Sequence, residues 1–203
     1  HDGSIMEVDD CNMNNAMSKG ENIYINKEAF WNKDKIPFPV EYSMSAMKNN
    51  NTIEGAVVSF TDITQNLRKS NMLSMNRFLI DNAPDSIIWI EPEDGKIIRV
   101  NNTTLDMLGY SVDEILNMTI MDLDPMITKD SYSDVVKQIK EKTIISFESK
   151  YVKKSGEAID VEVRAFYLKF GSSEYIVGFQ RDITERLKIQ KEIELSKELT
   201  DYI

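Results

Sequence analysis

Histidine and cysteine are almost absent from this chain of 203 residues, which contains one of each. A single cysteine forms no internal disulfide and is typical of a reducing compartment. Imidazole and thiolate groups are the usual zinc ligands and nucleophile–base partners, so their scarcity argues against metal sites and catalytic triads. Acidic residues such as Asp122 and Asp124 have no such company and are expected to be surface charges. Phosphate-binding loops and nucleophile elbows are also missing, so we predict neither catalytic residues nor an enzyme activity for this segment.

Long apolar runs and an excess of basic charge are missing as well. No run approaches the roughly 20 apolar residues that span a bilayer, so no membrane segment is predicted. The net charge of −10 repels phosphate backbones and anionic lipids, which argues against nucleic-acid partners. With 41% hydrophobic and 29% charged residues, the chain is expected to fold as a globular protein. Together with the lone cysteine, these features predict a cytoplasmic location.

Alternating apolar residues predict five strands in the second half of the chain, bounded by turn signals such as Asp94-Gly95. These strands are 86–90, 96–100, about 144–153, 157–168 and 173–182. Helices are predicted between them from their caps. Asn101 or Asn102 begins one that ends at Gly109, and Ser111 with Glu114 forms a capping box. A longer helix is expected to have Asp130 or Ser131 as its N-cap.

The first half shows a shorter version of this pattern. Three extended stretches, near residues 22–31, 37–44 and 55–60, predict a three-stranded meander with a turn at 48–51. A helix is predicted over residues 65–82, because no glycine or proline interrupts it before Pro84. Three strands without further cover would expose sheet edges and an apolar face. We therefore expect residues 22–62 to be covered by the helix 65–82, by the second half, or by the same half of a second chain.

The two halves form an internal repeat. Val40-Glu41 matches Val161-Glu162 at an offset of 121, and Asp62-Ile63-Thr64 matches Asp182-Ile183-Thr184 at an offset of 120. This period is far longer than that of solenoid repeats, so it indicates two copies of one domain. The first copy is expected to lack its opening strands.

The ordered set of motifs in the second half resembles the PAS family of sensory domains. The set comprises Asn101, Gly109-Tyr110, Glu114, Lys154-Ser155-Gly156, Val161-Glu162-Val163 and Asp182-Ile183-Thr184. This resemblance implies an α+β fold, with a five-stranded antiparallel sheet and helices on one face, preceded by a partial PAS meander. The implied divisions are a partial PAS domain (1–64), a connector helix (65–82), a complete PAS domain (83–184) and an output helix with a possible coiled-coil start (185–203).

The resemblance also implies a small-molecule pocket and a signal-relay region. Candidate pocket residues are Trp89, Met107, Tyr110, Phe147, Phe179 and Gln180, although such side chains could equally fill the core. Candidate relay residues are Asp62, Thr64, Asp182 and Thr184, which could act as a hinge or could only cap the helices that follow.

The same resemblance limits which cofactors this chain is expected to bind. Haem-binding relatives use a histidine on the helix at 131–141, and flavin relatives that form a cysteine adduct need a cysteine; residues 75–203 contain neither. Haem and a cysteine-adduct flavin are therefore not expected. Gln180 falls where flavin-binding relatives place a glutamine against the ring, so a non-covalent flavin and an ordinary glutamine in a polar pocket both stay open.

The resemblance implies a sensory and relay module of a cytoplasmic multidomain signalling protein, such as a two-component sensor histidine kinase. Residues 83–184 would detect a small molecule and pass the change through the C-terminal helix. The alternative is a ligand-free dimerisation and relay module whose core is filled by side chains. A weak heptad seam favours a homodimer, although a surface helix would look similar. Its positions are Ile189, Ile193, Ser196, Thr200 and Ile203.

Overall fold

The structure is a computed structural model that describes residues 11–50 and 52–201, with side chains described up to residue 197. The chain divides into two compact units between Met75 and Asn76. Position 1 and the acidic pair at 9–10 lie outside the described residues, as do the side chains at the last two positions of the heptad seam, 200 and 203.

The first unit is a short helix and an antiparallel meander, followed by the start of a long helix. Its sheet has the strand order β1-β2-β3. The elements are α1 (Asn12–Lys19), β1 (Ile23–Trp31), β2 (Pro37–Asn49), β3 (Thr52–Asp62) and α2 (Thr64–Asp81), the last of which continues into the second unit. Two predicted turn residues, Lys48 and Asn49, instead pair with β3, because the reversal needs only the tight turn at Asn50, whose φ is 48°.

One face of the first sheet is partly buried. Val40, Tyr42 and Met44 alternate along β2 and are at most 2% exposed, and Ala16 of α1 is 4% exposed. Phe30 of β1 is the centre of an aromatic cluster, with its ring centroid 5.3 Å from that of Tyr42, 5.4 Å from that of Phe60 and 6.5 Å from that of Phe38. The cluster reaches the surface at Phe60, which is 55% exposed.

The second unit is a five-stranded antiparallel sheet with the strand order β5-β4-β8-β7-β6. Its strands are β4 (Ser86–Ile90), β5 (Ile97–Val100), β6 (Ile144–Val152), β7 (Ala158–Phe170) and β8 (Ser173–Asp182). Its helices are α3 (Asn102–Leu108), α4 (Val112–Ile115), α5 (Ile120–Leu123), α6 (Lys129–Lys142) and α7 (Thr184–Asp201).

The core of the second unit lies between its helices and one sheet face. Leu108, Ile115 and Leu123 from the helical segment are fully buried against Ile88 and Val161 of the sheet. Burying side chains of this size stabilises the fold by about 1.5–3 kcal/mol each. The interior is thus filled mainly by aliphatic groups.

Capping residues determine where the helices that enclose this core begin and end. Asn101 caps α3 through Thr104, and Gly109 ends that helix with a φ of 77°. Ser111 and Glu114 form the predicted capping box of α4. The predicted N-cap of α6 was two to three residues too late, because Thr128 rather than Asp130 or Ser131 is the N-cap.

Candidate functional site

The junction between β8 and α7 in the second unit is held by hydrogen bonds to β7. The N–H of Ile183 donates to the carbonyl oxygen of Asp160 over 2.9 Å. In return, the N–H of Asp160 donates to Oγ1 of Thr184 over 3.0 Å. The carboxylate of Asp182 accepts the N–H of Thr184 over 2.8 Å and so satisfies a free amide at the helix start. With Ile183 only 2% exposed, this reciprocal pair binds the start of α7 directly to the sheet.

The first unit repeats most of this junction. The N–H of Ile63 donates to the carbonyl oxygen of Pro39 over 3.0 Å, and the carboxylate of Asp62 accepts the N–H of Thr64 over 2.8 Å. Among the described residues, Oγ1 of Thr64 is the buried side-chain polar atom without a hydrogen-bond partner. The Thr64 hydroxyl, followed by its N–H, lowers the pKa of Asp62, although the hydroxyl contact lacks hydrogen-bond geometry. The second copy thus has one more hydrogen bond between its Asp-Ile-Thr motif and the facing strand than the first.

Gln180 is buried on the inner face of β8 within a polar cluster. Its Oε1 accepts the hydroxyl of Ser86 over 3.0 Å, and that hydroxyl lies 2.8 Å from Oγ1 of Thr104. Oγ1 of Thr104 lies 2.8 Å from Oδ1 of Asn101. All four side chains are at most 1% exposed. Because buried polar groups require partners, this cluster satisfies the Gln180 amide oxygen from within the protein.

The Gln180 side chain also lies across Gly178. A Cβ atom added at Gly178 would clash with the side-chain nitrogen of Gln180. A larger residue at 178 would therefore displace Gln180 from its place above β8.

The neighbouring Tyr151 is 2% exposed, and burial, with the nearby Asp124 carboxylate, raises the pKa of its hydroxyl. Tyr151 is therefore a neutral hydrogen-bonding group at ordinary pH.

The six predicted pocket residues do not line one cavity. Gln180 faces inward opposite Ser86, whereas Phe179 pairs with Ile87 and projects from the other face of the sheet. Trp89 lies on that outer face too, with the Arg99 guanidinium 4.8 Å above its ring. On the same outer face, the rings of Phe179 and Phe166 meet edge to face, with their centroids 5.5 Å apart.

The remaining candidates are distributed around the inner side. Phe147 and Tyr110 pack against the aliphatic core, and the Tyr110 hydroxyl donates to the carbonyl oxygen of Val152 over 3.4 Å. Met107 packs against this core as well and, like Gln180, lines an open groove of about 640 Å³. Asp182 lines the same groove, so a predicted relay residue lies beside two predicted ligand residues.

A second open groove of about 520 Å³ lies between α6 and β6. Its walls include Val135 and Gln138 of α6 and Phe147 and Ser149 of β6. Of the six predicted pocket residues, only Phe147 lies in this groove.

Behind that groove lies Asp124, which sequence reasoning treated as a surface charge. The prediction was wrong, because the residue is 0% exposed. Ser149 donates to its Oδ2 over 2.7 Å and the N–H of Met126 to its Oδ1 over 3.0 Å. Burial raises the pKa of this carboxyl against the opposing effect of these hydrogen bonds. The Asp-Pro-Met sequence that follows Leu123 is a turn signal that could have indicated such a bond.

In α7 the predicted seam is exposed at each of the three positions whose side chains are described, Ile189, Ile193 and Ser196. Ile189 and Ile193 are each 50% exposed. Leu195, which lies outside the seam, is 60% exposed. The connector helix α2 carries similar exposed apolar residues, with Met72 at 67% and Met75 at 63%. Unpaired apolar stripes of this kind are compatible with a helical partner.

Within residues 11–50 and 52–201, no group of three or more candidate side chains is placed to hold a metal ion. In the same part of the chain, no helix combines the length and the hydropathy needed to cross a bilayer.

Comparisons with known proteins agree on one family. The family model described as PAS domain matches residues 6–65 and 84–185. The methyl sulfide methyltransferase-associated sensor of Methanosarcina acetivorans is 31% identical over 154 residues, which are 75% of this chain and 15% of that protein. The virulence sensor protein BvgS of Bordetella bronchiseptica is 26% identical over 140 residues, 65% of this chain and 11% of that protein. The chain thus spans less than one sixth of the length of these relatives.

Solved structures show the same fold. The PAS domain of an HTR-like protein from Haloarcula marismortui is 25% identical with a TM-score of 0.55, and the match covers 59% of this chain and 98% of that domain. A PAS domain from a two-component sensor histidine kinase is 23% identical with a TM-score of 0.50, over 56% of this chain and 98% of that domain. The five-stranded sheet with helices on one face confirms the predicted fold class. The chain belongs to the PAS family of sensory domains and contains two copies in tandem.

Proposed function

We propose that this chain is the sensory and relay segment of a longer cytoplasmic sensor protein, most simply a two-component histidine kinase. The observation that carries the proposal is the reciprocal hydrogen bonding of Asp160 with Ile183 and Thr184, which links the sheet to α7. A shift of β7 or β8 must therefore move or break the start of that helix. The names of the related sensors agree with this role. Catalysis is assigned to other parts of the polypeptide.

We assign the ligand site to the groove beside Gln180. Its walls include Met107 from the helical side and Asp182 from the relay junction. A small molecule bound there would contact the end of β8 and the residue that caps α7. Ligand binding can shift an equilibrium only through a difference in affinity between the two states. Contact with Asp182 provides that difference at the point where the helix begins.

A ligand-free relay module is the second candidate, and one observation favours it. The Gln180 amide oxygen is already bonded to Ser86, and the interior beside it is filled by packed aliphatic side chains. In this case the input arrives through dimer partners of α7, and the groove beside Gln180 is only a surface feature.

Groove-filling substitutions distinguish the two candidates. Met107→Trp adds bulk inside the groove beside Gln180, and Met126→Trp makes the same change in the α6–β6 groove. Native mass spectrometry of the purified chain should detect a bound small molecule that is lost in Met107→Trp and retained in Met126→Trp. Binding that survives Met107→Trp, or a chain that never carries a small molecule, would favour the ligand-free module.

The same samples test the cofactor expectation by absorption spectroscopy. Because residues 75–203 contain no histidine or cysteine, we expect neither a haem Soret band nor a flavin–cysteine photocycle. A stoichiometric visible chromophore would contradict this expectation.

A further inference from the structure

The two Asp-Ile-Thr motifs differ in one hydrogen bond to the strand that faces them. In each unit the isoleucine of the Asp-Ile-Thr motif donates to the carbonyl oxygen of the strand residue opposite it, which is Asp160 in the second unit and Pro39 in the first. The registers Val161↔Asp182 and Val40↔Asp62 confirm that these two positions are equivalent. Asp160 has an N–H that donates to Thr184, whereas proline has no N–H to donate. The missing donor accounts for the unpaired hydroxyl of Thr64.

We propose that the Asp160–Thr184 hydrogen bond is a latch that makes α7 follow β7, and that Pro39 removes this latch from the first copy. The start of α2 is then released from its sheet more readily than the start of α7. This inference deepens the proposed relay function, because it identifies the bond through which the second copy transmits movement. The first copy, with the same motif, keeps the helix cap but transmits movement less strongly.

Thr64 and Thr184 are surrounded by several equivalent hydrogen bonds. The N–H of Leu67 donates to Ile63 and the N–H of Leu187 to Ile183, each over 2.9 Å. Both threonines also receive the same cap from the preceding aspartate, at 2.8 Å in each unit. The first turns of α2 and α7 share these bonds, whereas α7 has in addition an ion pair from Arg186 to Glu148 at 3.0 Å. Each amide is therefore compared with the same amide in the parent chain, so that this ion pair is common to both measurements.

The test is native-state hydrogen exchange of the full chain, measured by NMR at the Leu67 and Leu187 amides. Thr184→Val and Thr64→Val both remove a hydroxyl and keep a β-branched side chain. Thr184→Val should accelerate exchange at Leu187 about fivefold, which corresponds to ~1 kcal/mol, the usual contribution of a neutral hydrogen bond. Thr64→Val should leave exchange at Leu67 unchanged or slow it, because it removes an unsatisfied hydroxyl. Equal acceleration in both variants, or none in either, would overturn the proposal.

A second substitution restores the missing donor. Pro39→Ala supplies an N–H at the position equivalent to Asp160, and it should slow exchange at Leu67 when Thr64 is present. The same substitution in a Thr64→Val background should lack this effect. Because the greater flexibility of the unfolded chain without proline is common to both backgrounds, it cancels in the comparison. An identical response with and without the Thr64 hydroxyl would show that no latch forms. These measurements need no ligand, so a failed ligand site and a failed latch are distinguishable.

Discussion

The two units contain the same three-stranded meander but cover it differently. At equivalent positions on β3 and β8, Phe60 is 55% exposed and Gln180 is 1% exposed. In the second unit β4 pairs along β8 and places Ser86 opposite Gln180. In the first unit, over the described residues, β3 pairs with β2 alone.

This comparison shows which features need only the three-stranded meander and which need the additional strands and helices that cover it. Strand register and the capped helix start are present in both copies, so they need only the meander and the Asp-Ile-Thr motif. The buried polar cluster around Gln180 occurs where further strands and helices enclose the sheet. The buried polar cluster therefore depends on the cover, whereas the strand-to-helix junction depends on the meander.

The largest expected effect is on independent folding. A fragment of residues 76–201 should fold cooperatively, because it contains a complete five-stranded sheet and a filled core. A fragment of residues 1–75 should give a poorly dispersed NMR spectrum, since so small a core barely offsets the entropy of the chain. A cooperative urea transition for residues 1–75 would remove the distinction between the two units.

Charge substitutions test which face of the first sheet is covered. Val57 pairs with Ser45 and Phe60 pairs with Tyr42, which places Val57 on the other face of the sheet from Phe60. Phe38 is half-buried and belongs to the aromatic cluster around Phe30. Phe38→Asp should lower the free energy of unfolding by about 2 kcal/mol.

Val57→Asp should change the free energy of unfolding by no more than about 0.5 kcal/mol, because Val57 is 56% exposed. Asn50→Asp, at the exposed turn, serves as the reference in the same thermal melts. A loss at Val57 as large as that at Phe38 would mean that another element covers the outer face in solution.

The apolar stripe of α7 is expected to mediate association. Ile193→Glu places a charge in the predicted seam and should weaken a dimer about tenfold in sedimentation equilibrium. Met72→Glu, on the equally exposed stripe of α2, tests whether that helix contributes as well. A monomeric parent chain would leave α7 as a surface helix.

The smallest expected effect is a pH dependence located in the second unit. Hydrogen bonds from Lys154, followed by those from Ser111, lower the pKa of Glu114 from 4.5 to about 2. A carboxyl with a lowered pKa stabilises the fold above its ordinary pKa, and this contribution is lost as pH falls from about 5 toward 2. The variant Glu114→Gln should therefore lose less stability over that acid range.

Asp124 provides a control, because its pKa is shifted in the opposite direction to that of Glu114. Because burial raises its pKa, its charged form opposes folding as pH rises through the folded-state pKa. Asp124→Asn should remove that contribution, and urea titrations at several pH values measure both variants. Parallel pH profiles for the parent chain and both variants would contradict these assignments.

Much of the fold was accessible from sequence because local signals agreed with it. The alternation around Val161 and the caps at Asn101 and Ser111 each depend on neighbours within a few residues. The candidate pocket was less accessible, because aromatic residues such as Trp89 and Phe179 have no local signal for which sheet face they occupy. That choice depends on strand register across distant parts of the chain.

Asp124 and Pro39 illustrate the same limit. The burial of Asp124 depends on Ser149, 25 residues away, and the missing latch depends on the alignment of Pro39 with Thr64. Neither residue is unusual in its own sequence context. Their effects follow from which hydrogen-bonding groups the pairing of strands brings opposite them.

The hydrogen bonds of Asn101 determine where this domain can be transplanted. Its side-chain nitrogen lies within hydrogen-bonding distance of the carbonyl oxygens of Ile80 and Asp85, while its oxygen accepts the N–H of Ile87. Arg99 adds an ion pair to Asp81 at 3.2 Å. A chimera spliced immediately before β4 would separate the last turn of α2 from these partners and leave a buried amide unsatisfied. A graft into another receptor should therefore begin at residue 76, so that the recipient helix is fused upstream of that turn.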